Sequence, residues 1–195
     1  MRVETVESVC GQPDLGPKAR AWCTFMEVAV ANLPKPTRRT TLIRRSPTET
    51  VNQRAVEHYG ALAITRPVHA DDGRMLPRGY KVTHTRTGVS MQLNDVTFRR
   101  RGTARRYLAG LASIAEDLLC VDDAKNFGAQ APEALRKQIA ALNRLAAPSP
   151  ELEYAAESDL PIFGLRLPRP AHALRRCDPD SPIGSQVAIE GLRRR

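Results

Sequence analysis

The chain of 195 residues carries a formal charge of +9, is 42% hydrophobic and is only 5% aromatic. That length suits one domain with a real core and no need of metal or disulfides, and the scarcity of aromatics predicts a core of Leu, Val, Ile and Ala. No apolar run approaches the ~18 residues of a membrane span, and Met1–Cys10, with Arg2, Glu4 and Glu7, has no signal-peptide core, so the expectation is a cytoplasmic protein with no membrane partner and with Cys10, Cys23, Cys120 and Cys177 reduced.

Arg2 to Val9 is expected to be a short strand, followed by a turn-rich break at Gly11–Pro17. Pro17 suits the first position of a helix that runs to Asn32 and stops before Pro34. Its Trp22, Phe25, Met26, Ala29 and Val30 form an apolar stripe at helical spacing, which reads as core. Residues 33–43 form a basic, Pro-interrupted connector. Ser46-Pro47-Thr48-Glu49 has the form of a capping box and predicts a helix over 47–59, stopped by Gly60, with Val51, Ala55 and His58 on one face.

Residues 61–66 read as a strand ended by Pro67, and Asp71-Asp72-Gly73 as a polar turn. The alternation in residues 79–93, interrupted at Thr87-Gly88, predicts a hairpin with Gly at its turn. Thr103 is the expected cap of a long amphipathic helix carrying Tyr107, Leu108, Leu111, Ile114, Leu118 and Leu119 to residue 120. Pro132 opens another helix to residue 146, with Leu135, Ile139 and Leu142 inward. The expected architecture is α+β: a small antiparallel sheet at about 61–93 packed on one side by three to four helices. One domain spans 1–147, and 148–195 is a Pro- and Arg-rich arm that packs on the body or is partly disordered.

Charge is segregated along the chain. Residues 34–54 carry +5, residues 74–106 carry +8, and residues 107–160 carry −5. A surface that is merely Arg-rich would spread its charge evenly, so a polyanion partner is implied. The densest block is Arg99-Arg100-Arg101-Gly102-Thr103-Ala104-Arg105-Arg106, at the mouth of a helix. Cations oppose the helix dipole there, whereas free backbone N–H groups and the Thr103 hydroxyl suit a phosphate. The competing reading is that Glu116, Asp117, Asp122 and Asp123 neutralise the block within the fold.

Lys81, Arg86 and Arg78 extend the basic face, with His84 nearby and Tyr80 as a stacking ring; Arg38, Arg39, Arg44 and Arg45 add phosphate contacts. Cys and His spacings lack the tight pairs of a zinc site, so no metal or cofactor is expected. Cys23 and Cys120 read as inert core thiols, and His69 with Asp71-Asp72 reads as a polar turn. No nucleophile elbow, phosphate-cradling Gly loop or metalloprotease motif occurs.

The function these features point to is non-enzymatic binding of nucleic acid or a ribonucleoprotein through 74–106. The alternative is a small inhibitor or scaffold that binds a protein complex through its acidic helix face and Pro-rich arm. A third reading is a nuclease, with or without metal, for which a ribonuclease-like site built on His84 with Arg and Lys leaves only a faint trace.

Overall fold

The computed structural model describes residues 17–69, 72–92, 97–122, 133–146 and 170–180. The strand expected over 2–9 and most of the arm after 147 lie outside them, as does the side chain of Trp22. Helix α1 spans Pro17–Ala31, with Cys23, Met26 and Ala29 buried along one stripe. A hairpin follows, β1 Thr40–Arg44 against β2 Thr50–Arg54, with Leu42 opposite Asn52. A three-stranded antiparallel sheet is then built from β3 Glu57–His58, β4 Leu62–Thr65 and β5 Lys81–His84, in that order.

Helix α2 spans Arg101–Ile114, the one-turn α3 Glu116–Leu119, α4 Glu133–Ala146 and α5 Pro170–Arg176. The α+β architecture expected from the sequence is the one observed. Among the described residues, no helix is long and apolar enough to cross a membrane.

The region 47–59 is not a helix. Ser46 Oγ does accept the Glu49 N–H at 3.1 Å, as a capping box requires. The same bond closes a tight turn here, with reciprocal backbone bonds between Ser46 and Glu49. Thr40, Thr41 and Ile43 on one side and Thr50 and Val51 on the other then pair as strands, which suits β-branched side chains. Among the described residues two strands form this sheet, and the far strand β2 presents Thr50, Asn52 and Arg54 to solvent.

The second hairpin forms with Gly at its turn. Gly88 N–H bonds to the His84 carbonyl at 2.8 Å, and Ser90 bridges back to Thr83. Gly88 has φ of 71°, and its carbonyl accepts the Arg44 N–H at 2.7 Å. A Cβ there would sit 2.8 Å from the Arg44 nitrogen, so glycine is what lets β1 seat against the turn.

Period-two alternation sorts the two faces of the β3–β5 sheet. Leu62, Ile64 and Val82 point to the helical core, where α2 packs on β4 and β5. Ala63, Thr65, Lys81 and Thr83 point the other way, toward the β1–β2 hairpin. Helix α2 is nearly surrounded by α1, α4, α5 and the sheet, and Ala104 through Ala112 is buried except for Arg105 and Arg106. Its N-cap lies three residues before the expected Thr103. Arg100 is its N-cap, with no side-chain cap bond, so Thr103 lies inside the first turn. The expected single helix to residue 120 is broken at Ala115, whose φ of −122° and ψ of 34° leave the helical region.

The arm and the cysteines complete the fold. Within the arm, Pro170–Arg176 is a helix whose Ala173 and Leu174 are buried against the body. Cys120 is not a free thiol: it is disulfide-bonded to Cys177 across a Cα–Cα distance of 4.8 Å. Cys23 is disulfide-bonded as well. The reduced-thiol expectation rested on the cytoplasmic compartment inferred from the missing signal-peptide core and membrane span; the cysteine spacing gave no sign of the bond, because a disulfide needs proximity in space and not in sequence.

His84, a candidate for the binding face, is fully buried beneath the hairpin turn. Its ring nitrogens lie 2.8 Å from Thr87 Oγ1 and 2.8 Å from the Leu119 carbonyl, so the neutral ring ties the turn to the end of α3. Burial pushes its pKa down to about 4, partly offset by the Leu119 bond. The unfolded chain therefore takes up a proton on this ring at a higher pH than the folded one. Stability is expected to fall as pH drops from about 6.5, by roughly 2–3 kcal/mol at about pH 4.5. Urea titrations across that range check this; an H84Q variant that keeps the same slope would show the loss arises elsewhere.

Candidate nucleic-acid interface

Phe98 positions the basic run. It is fully buried, packs its ring against Tyr107 with centroids 5.1 Å apart, and exchanges both backbone hydrogen bonds with Tyr80, at 2.8 and 3.0 Å. Tyr80 immediately precedes β5, and Arg99 immediately follows Phe98. The bridge therefore holds the start of α2 beside the tyrosine ring. Tyr80, Arg99, Arg100, Gly102, Thr103 and Arg106, with Arg101, line one surface groove of about 490 Å³. The first turn of α2 has no acidic residue and its first N–H groups lack a side-chain cap.

The arginines divide into two sets. Arg101 and Arg105 turn inward to Glu57 on β3. Arg105 Nε donates to Glu57 Oε2 at 2.7 Å, its Nη2 donates to Oε1, and Arg101 Nε lies 3.3 Å from Oε1. Tyr59 Oη also donates to Glu57 Oε2, at 2.6 Å. The Glu57 side chain is only 4% exposed. Burial alone would raise its pKa, but the hydrogen bonds from Arg105 and Tyr59 and the charges of Arg105 and Arg101 outweigh it and hold the carboxyl below its ordinary range. Desolvation and this carboxylate together push the Tyr59 hydroxyl well above its ordinary pKa.

Arg99 and Arg100 behave differently. Both are exposed, and among the described residues neither makes an ion pair. Arg106 is half-buried and interacts with Glu27 of α1; burial lowers its pKa.

Two of the acidic residues downstream are engaged elsewhere. Glu116 pairs with Arg176 at 3.1 Å and lies 3.5 Å from His172, while Asp122 pairs with Arg86. Asp117's side chain and Asp123 lie outside the described residues. Arg86 is thereby held away from the groove, its side chain 13% exposed. Arg39 pairs with Asp180 at 2.8 Å, Arg38 and Arg78 are exposed elsewhere, and Arg74 lies 3.4 Å from Asp72.

Arg44, Arg45 and Lys81 line a second depression between the β1–β2 hairpin and the sheet. Arg66, which the sequence did not single out, connects the two: it lines the second depression and stacks over Tyr80, 4.3 Å from the ring centroid. Its Nη1 donates to the Gly79 carbonyl at 3.0 Å, which fixes the stack.

Glu57 also went unread in the sequence, since its arginine partner is 48 residues away. His69 and Asp72 lie 3.7 Å apart in the expected polar turn. No cluster of His, Cys, Asp and Glu able to hold a metal occurs among the described residues. No family model, curated protein or solved structure matches the chain.

Proposed function

We propose that the protein is a non-enzymatic nucleic-acid-binding protein that uses the groove at the start of α2. One observation carries the reading: Arg99 and Arg100 stand exposed at an uncapped helix start beside Tyr80, while their neighbours Arg101 and Arg105 are committed to Glu57. A phosphate there meets backbone N–H groups, the Thr103 hydroxyl and two guanidinium groups. Tyr80, held by Arg66 on one side, offers an aromatic surface at the groove's edge for a base. Neither strand sequence nor sugar is specified by such contacts, which read backbone and ring faces.

Binding then releases counterions and weakens with salt. Gel-shift titrations of a 5′-hydroxyl single-stranded oligonucleotide, DNA and RNA in turn, test this across a salt series. R99A/R100A is expected to bind more weakly and to lower the slope of log affinity against log salt by about 2. It leaves the Glu57 cluster intact, so stability is unaffected. No retention at low salt, or equal binding by the variant, overturns the reading.

A protein partner is the second reading. It rests on Met75 and Leu76, which are 59% and 38% exposed on the loop before β5. A pull-down with and without nuclease separates the two, since a protein partner survives nuclease. The Cys120–Cys177 bond favours a setting where disulfides persist over the cytoplasmic one expected from the sequence.

A further inference from the structure

We propose that the cleft between the β1–β2 hairpin and the β3–β5 sheet is a separate binding site for a phosphomonoester group. The cleft holds about 220 Å³, several times the ~30 Å³ share of one water. Arg44 and Arg45 enter from the hairpin, Arg66 and Lys81 from the sheet, and among the described residues no carboxylate lines it. Arg45 is also ion-paired to Glu49 at 3.1 Å, outside the lining. Positive groups thus face the same space from two sheets. That arrangement suits a tetrahedral dianion with oxygens on every side better than a planar carboxylate, which one bidentate arginine satisfies.

A buried hydroxyl pair and one buried, unpartnered donor support a ligand. Thr65 and Thr83 are 1% and 2% exposed and line the cleft. Their hydroxyls are 2.9 Å apart, so one donates to the other. The accepting hydroxyl keeps its own proton, and the described residues supply no acceptor for it. A buried donor in that state is costly, and an anionic oxygen in the cleft would satisfy it. Arg44 gives Nη1 to the Pro47 carbonyl at 2.6 Å, but its Nε is buried without a partner. The seat of β1 on the Gly88 carbonyl fixes the distance between the two walls.

A phosphomonoester has two sources, a small free metabolite or the terminal phosphate of a strand. The Arg66–Tyr80 stack places the cleft one side chain from the groove. The site stands without the groove, however, and the two are read separately. Isothermal titration of the full chain with inorganic phosphate and with a nucleoside 5′-monophosphate reads the cleft; the 5′-hydroxyl oligonucleotide reads the groove.

Saturable binding of the monophosphate is expected, weakened about tenfold or more in T65V/T83V, which removes both hydroxyls at nearly constant shape and so keeps the fold. R44Q is the second variant, with the same expectation. A 5′-phosphorylated strand that binds more tightly than its 5′-hydroxyl twin identifies the strand end as the source. Equal strands with a bound mononucleotide identify the small molecule. No saturable binding of phosphate or monophosphate, or affinities unchanged in both variants, overturns the proposal.

Discussion

Replacing both Cys120 and Cys177 with serine is expected to lower stability by about 4 kcal/mol, the loop-closure value for the 57-residue separation. The bond follows α3 at one end and α5 at the other, and α5 has only seven residues. A helix that short has no stability of its own. What holds it is tertiary. Leu174 is fully buried, its carbonyl accepts the Ala61 N–H at 3.0 Å, and Arg176 and Asp180 reach Glu116 and Arg39.

Gly60, with φ of 90°, leaves the space that the Leu174 carbonyl enters; a Cβ there would lie 2.4 Å from it. The exposed ion pairs contribute little, so the disulfide and the Leu174 burial carry the docking. Urea denaturation of C120S/C177S, alongside the parent with and without reductant, measures the effect. A midpoint that reductant and serine both leave in place would show that α5 docks without the bond.

Glu57→Ala is expected to cost roughly 3–4 kcal/mol, because removing one partner of a buried charge cluster strands the others. Arg105 is part-exposed and keeps some hydration, which holds the figure toward the low end. Tyr59, whose ring is in the core cluster, loses its acceptor. The pH dependence separates this residue from His84. A carboxyl whose folded pKa lies below its unfolded value near 4.5 stabilises the fold above that pH and stops doing so as pH falls through the folded pKa. The stability gap between parent and E57Q should therefore be full at neutral pH and close only below about pH 4.5, after the His84 loss has largely run its course. A gap constant to pH 3 in denaturant titrations would mean the carboxylate charge is not what stabilises.

E57Q also tests how the groove is built. If Arg101 and Arg105 are held inward only by the carboxylate, the variant releases two cations toward solvent.

Local signals in the sequence were sufficient where an element's ends and its buried stripe agreed. Pro17 and the Met26–Ala29 stripe locate α1, and Leu135, Ile139 and Leu142 locate α4. They failed where one local contact serves two structures. The Ser46–Glu49 bond suits a helix start and a hairpin turn alike, and only the cross-strand partners Thr40 to Arg44 choose between them. The short α5 carries too few turns for periodicity to register, and its anchor Cys177 has no close cysteine in sequence.

At the site, the basic run at Arg99–Arg106 and Tyr80 were readable from charge and position. Their division was not. Which arginines face outward depends on Glu57, a single acid in a short strand, and which cations share the cleft depends on how β1 meets Gly88.

The small β1–β2 sheet has a further consequence, for behaviour at high concentration. Among the described residues no strand pairs with the outer side of β2, and a strand edge of that kind is a template for a strand of another molecule. Three features discourage such lateral addition: the strand has five residues, Thr50, Asn52 and Arg54 are exposed along it, and Arg54 brings a like charge against its counterpart in a parallel, in-register copy. The hairpin that walls the cleft is thus also guarded against polymerising through its edge.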